Sequence, residues 1–104
     1  GRREFELEDQ KVVIGRSQSA DLFVNSPRLS RTHCEVSLTS QGVTIQDLDS
    51  SNGTFVNGQR VRQALLRPGD IVQLGGVAIR VEFDRAVTRV VSEYGPTLKS
   101  LAKE

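Results

Sequence analysis

Apolar and polar residues alternate with a period of two along most of this chain, and that pattern restricts its fold more than any other feature. Cys34, Val36 and Leu38 alternate with Glu35 and Ser37; Val77, Ile79, Val81 and Phe83 with Ala78, Arg80 and Glu82; Phe5 and Leu7 with Glu4, Glu6 and Glu8. Successive side chains of an extended chain point to opposite faces, so each run reads as a strand with one buried face. Short runs rich in β-branched residues lie at Val12 to Ile14, Leu22 to Val24, Val43 to Ile45, Thr54 to Val56 and Ile71 to Leu74. Asn52-Gly53 and Asn57-Gly58 read as hairpin turns, because a tight type I′ turn needs positive φ at both central positions, and Pro68-Gly69-Asp70 reads as a third turn. The expected fold is all-β, an antiparallel β-sandwich of about 11 short strands.

From Asp84 onward the spacing changes. Ala86, Val87, Val90, Val91 and Tyr94 fall at helical intervals, Gly95-Pro96 would stop a helix, and Leu98 to Lys103 repeats the spacing weakly. This predicts a sandwich over 1–83 and a helical or flexible extension over 84–104.

The 104 residues suffice for one hydrophobic core, filled by thirteen Val, ten Leu, four Ile and four Phe, with no Trp or Met. No apolar run approaches the ~18 residues of a membrane-spanning helix, and the N-terminus lacks the apolar stretch of a signal peptide, so no membrane contact is expected. A net charge of +1 is far below what neutralising a series of nucleic-acid phosphates demands, and no basic-aromatic interleaving occurs. One Cys and one His are too few for a zinc site, and the single thiol suits a reducing, intracellular compartment. No metal and no cofactor are expected. The absence of an initiating Met leads to the expectation of a piece of a larger multidomain protein.

Charge is unevenly spread within this nearly neutral chain. Residues 11–34 carry Lys11, Arg16, Arg28 and Arg31 against Asp21 alone, whereas residues 35–57 carry Glu35, Asp47 and Asp49 with no cation. A local anion site is therefore possible where the global field is weak. Three segments stand out: Gly15-Arg16-Ser17, Ser30-Arg31-Thr32-His33, and Ser50-Ser51-Asn52-Gly53-Thr54-Phe55-Val56-Asn57-Gly58. Each alone has a plain structural reading as a strand end, a loop or a turn.

In combination, at this order and spacing, they resemble the forkhead-associated (FHA) domain, a β-sandwich that binds phosphothreonine peptides. The resemblance runs from about Glu4 to Phe83. It implies that Arg16, Ser30 and Arg31 bind phosphate, that Ser51 lies at the threonine pocket, and that Asn52 hydrogen-bonds the ligand main chain. It also implies a bracing role for His33, with Gly15 and Gly53 supporting the site, and a selective role for Arg28 toward a residue beyond the phosphothreonine. The chemistry of these residue types agrees. A phosphothreonine offers about −1.5 to −2 charge and three acceptor oxygens, so it needs several convergent donors. Charge-assisted hydrogen bonds of roughly 1.5 to 3 kcal/mol each then suffice for micromolar affinity. Preference for threonine over serine rests on one methyl group, about 0.8 kcal/mol by transfer, so strong discrimination requires a rigid pocket.

The expected function is thus a phosphothreonine-dependent binding module in Ser/Thr kinase signalling, with a phosphorylated kinase or kinase substrate as partner and no catalysis. Ser30, His33 and Cys34 invite a nucleophile-base reading, but neighbours at a strand start point in different directions and there is no second His. The alternative is a phosphate-independent FHA-like scaffold for protein assembly. It explains the core and turns but leaves the donor-bearing residues at the loop positions without a role.

Overall fold

The computed structural model describes residues 2–7, 11–84 and 87–94. Eleven strands run in order: β1 (Arg2–Leu7), β2 (Val12–Gly15), β3 (Leu22–Phe23), β4 (Cys34–Thr39), β5 (Gly42–Asp47), β6 (Thr54–Val56), β7 (Gln59–Val61), β8 (Gln63–Leu66), β9 (Val72–Leu74), β10 (Val77–Asp84) and β11 (Val87–Tyr94). They form a six-stranded sheet, β1-β11-β10-β9-β6-β7, and a five-stranded sheet, β3-β2-β4-β5-β8. All pairings are antiparallel except the short parallel contact of β2 with β3.

Alternation becomes burial through register. In the five-stranded sheet Val12 lies opposite Val36, Val36 opposite Ile45, and Ile45 opposite Ala64, so one row of the inner face is apolar from β2 to β8. In the other sheet Val56 lies opposite Val72 and Val72 opposite Ile79. These residues join Ile14, Val24, Val43, Leu74 and Val90 in one aliphatic core between the sheets. Closing two amphipathic sheets on each other buries what neither could bury alone.

Within the expected helix over Ala86 to Tyr94, Val87–Tyr94 instead forms β11, paired with β10 on one side and β1 on the other, and Ala86 lies outside the described residues. The division expected at 83/84 therefore falls inside the six-stranded sheet, within β10. The helical spacing misled because Val90 and Val91 are both fully buried, one in the core and one on the opposite face. A strand covered on both faces loses its alternation and mimics other periods. Arg89 lies between Glu82 of β10 and Glu6 of β1, a cross-strand charge arrangement that supports this register. The weaker repeat over Leu98 to Lys103 lies outside the described residues.

Turn chemistry divides likewise. Asn57 and Gly58 have φ of 50° and 83° and join β6 to β7 as a two-residue hairpin. Gly69, with φ 93°, follows Pro68 in a turn closed by the Asp70 N–H on the Arg67 carbonyl. Asn52-Gly53 is different: only Gly53 has positive φ, and the pair ends a crossing from β5 in one sheet to β6 in the other. That crossing carries Asn52 to the end of the sandwich where the β2–β3 and β3–β4 connections also gather.

Candidate functional site

The site is built from three connections pressed together. At the end of β2, the Arg16 N–H donates to the Ser30 carbonyl at 3.0 Å and the Ser17 N–H to the Arg31 carbonyl at 3.1 Å. Gly15 permits this approach, because a Cβ there would lie 2.0 Å from the Arg31 carbonyl oxygen. The Arg16 Nε donates to the Leu29 carbonyl at 3.0 Å, which fixes the inner edge of its guanidinium and leaves the terminal nitrogens exposed. Arg16 and Ser30, fourteen residues apart in sequence, are thus immediate neighbours.

Ser30 is the junction. Its hydroxyl oxygen accepts from the Ser51 N–H at 2.9 Å, so its own proton remains free to donate outward. Its backbone N–H donates to Nδ1 of the fully buried His33 at 3.1 Å. Nδ1 must then be the acceptor, and Nε2 carries the proton that it donates to the Gly53 carbonyl at 2.9 Å. The imidazole ties the Ser30 loop to the Asn52-Gly53 turn.

A second set of bonds shapes that turn, and the sequence analysis did not anticipate it. Asp47, at the end of β5, accepts from the Ser50 hydroxyl at 2.5 Å, the Thr54 hydroxyl at 2.7 Å and the Ser50 N–H at 3.0 Å. The Ser50 hydroxyl in turn accepts from the Gly53 N–H at 3.0 Å. Burial alone would raise the Asp47 carboxyl, but the Ser50 and Thr54 hydroxyls and the Ser50 N–H together hold it below the usual carboxylate range. The Asp-x-x-Ser spacing, a common side-chain-to-backbone turn, was the signal that could have found it.

Asn52 donates Nδ2 to the Arg28 carbonyl at 2.7 Å and keeps its Oδ1 and a second N–H exposed. Arg28 lies against the Gly75-Gly76 turn, where a Cβ on Gly75 would stand 2.5 Å from the Arg28 carbonyl oxygen. Both glycines have positive φ and form the β9–β10 hairpin. A Gly-Gly pair between two apolar runs is itself a turn signal in the sequence. A groove of about 450 Å³ opens here, bordered by Arg28, Asn52, Phe55 and the two glycines.

The structure therefore brings Arg16, Ser30, Arg31, Ser51, Asn52 and Arg28 to one end of the molecule, with Gly15, His33 and Gly53 behind them. Ser51 and Arg31 are exposed, and the Arg31 guanidinium has no hydrogen-bond or ion-pair partner among the described residues. No cluster of three metal-ligating side chains occurs among the described residues. Beyond the turn, Thr54 is fully buried and Val56 packs against the core, while Phe55 borders the groove.

Residues 12–75 match the family model described as the FHA domain. The chain is 43% identical over 77 residues to the ABC transporter ATP-binding/permease protein Rv1747 of Mycobacterium tuberculosis, which covers 74% of this chain and 9% of that protein. It spans half or less of the length of the curated relatives it matches. Among solved structures, one from a study of phosphothreonine-dependent FHA domain interactions superposes with a TM-score of 0.68 at 29% identity, covering 90% of this chain and 86% of the other. The FhaA FHA domain, solved in complex with the intracellular domain of Rv3910, superposes with a TM-score of 0.67 at 30% identity, covering 86% and 87%.

Proposed function

Because this chain belongs to the FHA domain family, we propose that it binds phosphothreonine-containing protein segments through the cluster of Arg16, Ser30, Arg31, Ser51 and Asn52. The observation that carries the reading is the Ser30 junction. Its hydroxyl accepts from Ser51 and so presents its proton outward, beside an Arg16 whose guanidinium is already oriented by Leu29. Preorganised donors lose little on binding, so their charge-assisted bonds go into affinity.

Arg16 and Arg31 supply charge and the Ser30 hydroxyl a further donor. The phosphate sits against the Gly15–Ser17 and Ser30–Thr32 backbones, and the peptide passes over Ser51 and Asn52, whose remaining amide groups match a peptide N–H and C=O. The threonine methyl rests near the turn that Ser50, His33 and Thr54 hold from behind. Gly53 is bonded at both its N–H and its carbonyl, which provides the rigidity that selection by one methyl requires. Arg28, at the edge of the groove beside Gly75-Gly76, favours an acidic or polar side chain a few residues beyond the phosphothreonine.

We read the site as binding and not catalytic. Nδ1 of His33 is occupied by the Ser30 backbone N–H, so it does not activate the Ser30 hydroxyl. Cys34 is buried, and burial first, then Asp47 and Glu35, drives its thiol far above the usual range, which leaves little thiolate to react. No helix among the described residues is long and apolar enough to cross a membrane. In this reading the module works inside the cell as part of a larger protein, where Ser/Thr kinases write its ligand.

Calorimetry with one peptide in phosphothreonine, phosphoserine and unmodified forms tests the proposal. Micromolar binding of the first, weaker binding of the second and none of the third is the expected order. Equal affinity for the phosphorylated and unmodified peptides would establish the phosphate-independent scaffold instead.

A further inference from the structure

Beside the 48–53 connection lies a hollow of about 510 Å³, lined in part by Arg60, Arg62, Asp47, Asp49 and Ser50. Arg60 reaches in against the recognition turn itself: a Cβ on Gly53 would stand 2.8 Å from its Nε and 3.2 Å from the edge of the Phe55 ring. One face of Gly53 is thus occupied by a guanidinium, next to Asn52. Arg60 and Arg62 are both exposed, and neither has an ion pair or side-chain hydrogen bond among the described residues. Lys11 and Arg80, by contrast, are each paired with a glutamate. The acids in the hollow do not engage the arginines either. Asp47 receives Ser50 and Thr54 on both its oxygens, and Asp49 stands on a left-handed backbone with φ 58°.

We propose that Arg60 and Arg62 form a second anion-accepting subsite, for an acidic group that the partner carries outside its phosphothreonine. The inference rests on the phosphothreonine reading of the first site. Arg16 and Arg31 suffice for one phosphate, so two further unpaired guanidinium groups around one loop match a ligand with a second centre of negative charge. Planar guanidinium forks suit both carboxylate and phosphate, so the shared chemistry is an anionic oxygen pair, from Asp or Glu or from another phosphorylated residue. Asp49, which lines the same hollow, opposes this anion, so removing its charge strengthens the subsite.

The test uses the 104-residue chain and phosphothreonine peptides in three sets, each with its unphosphorylated counterpart: neutral flanks, Glu walked through each flanking position, and a second phosphothreonine walked likewise. Wild type is expected to bind at least one acidic or doubly phosphorylated peptide roughly three- to tenfold tighter than the neutral one, and comparing the two walks identifies the anion. The double variant Arg60→Gln, Arg62→Gln keeps planar polar groups without charge. It is expected to lose that gain at positions other than those read by Arg28, which Arg28→Gln identifies in the same walk, while binding the neutral peptide as wild type does. Asp49→Asn, which a left-handed backbone accepts, is expected to enlarge the gain. Equal losses for neutral and acidic peptides in the double variant would show Arg60 to be only a prop for the turn and overturn the subsite. A gain unchanged at every position, including those that Arg28→Gln leaves unaffected, would overturn it as well. Wild type that ignores phosphate on every peptide would overturn the first-site reading, and this one with it.

Discussion

Ser30 donates its backbone N–H to Nδ1 of His33 at 3.1 Å, and through that bond a residue with no exposed surface governs the geometry of the proposed phosphate site. The same ring holds the Gly53 carbonyl on its other nitrogen. Two loops of the proposed site are therefore registered against one buried group.

His33→Ala leaves the Ser30 N–H and the Gly53 carbonyl without partners and opens a void. The expected cost is roughly 2 to 4 kcal/mol of stability, with phosphopeptide binding weakened as a consequence. Denaturant unfolding beside calorimetry checks it. Lost binding at an unchanged midpoint would make His33 a ligand contact.

Arg16→Ala removes a proposed phosphate donor and the bond to the Leu29 carbonyl. Affinity for the phosphothreonine peptide is expected to fall by at least about 1.5 to 3 kcal/mol, tenfold to more than a hundredfold, with about 1 kcal/mol lost in stability. Ser30→Ala is expected to act in the same direction. Retained affinity in a folded Arg16→Ala protein would refute the assignment.

Gly15→Ala tests the junction of loops. The added methyl would meet backbone atoms of Arg31 at 2.0 Å and 2.7 Å, and backbone cannot rotate away as a flexible side chain can. A loss of about 1 to 3 kcal/mol is expected from overpacking, together with loss of phosphopeptide binding. Wild-type binding and wild-type melting in this variant would show that the two connections do not need their contact.

Acid should loosen the turn through Asp47. Its carboxyl is held low in the folded chain, so it contributes stability above the unfolded value of about 3.9, and that contribution disappears as pH falls through the lower folded value. Asp47→Asn is expected to be less stable than wild type at neutral pH, with the difference shrinking below about pH 4. Unfolding curves across that range check the convergence. A constant difference at every pH would show that the carboxylate's charge contributes nothing.

Much of the fold was legible because strand alternation and turn residues are local properties. The rows that became β4, β5 and β10, and the Asn57-Gly58 and Pro68-Gly69 turns, follow from side-chain period and positive φ. β11 was not legible: Val90 and Val91 are buried on opposite faces, and only pairing with β1 and β10 distinguishes that pattern from helical spacing. The residue types of the site were readable, together with the resemblance that gave them an order.

What the tertiary structure alone decided is how those residues are held. The sequence contains a histidine, a serine and an Asn-Gly pair, but it cannot say which ring nitrogen accepts, which hydroxyl proton remains free, or that Asp47 and Ser50 tie down the turn. Those are facts of hydrogen-bond direction between groups distant along the chain. They exist only after two sheets have closed on an aliphatic core and brought three connections to the same end.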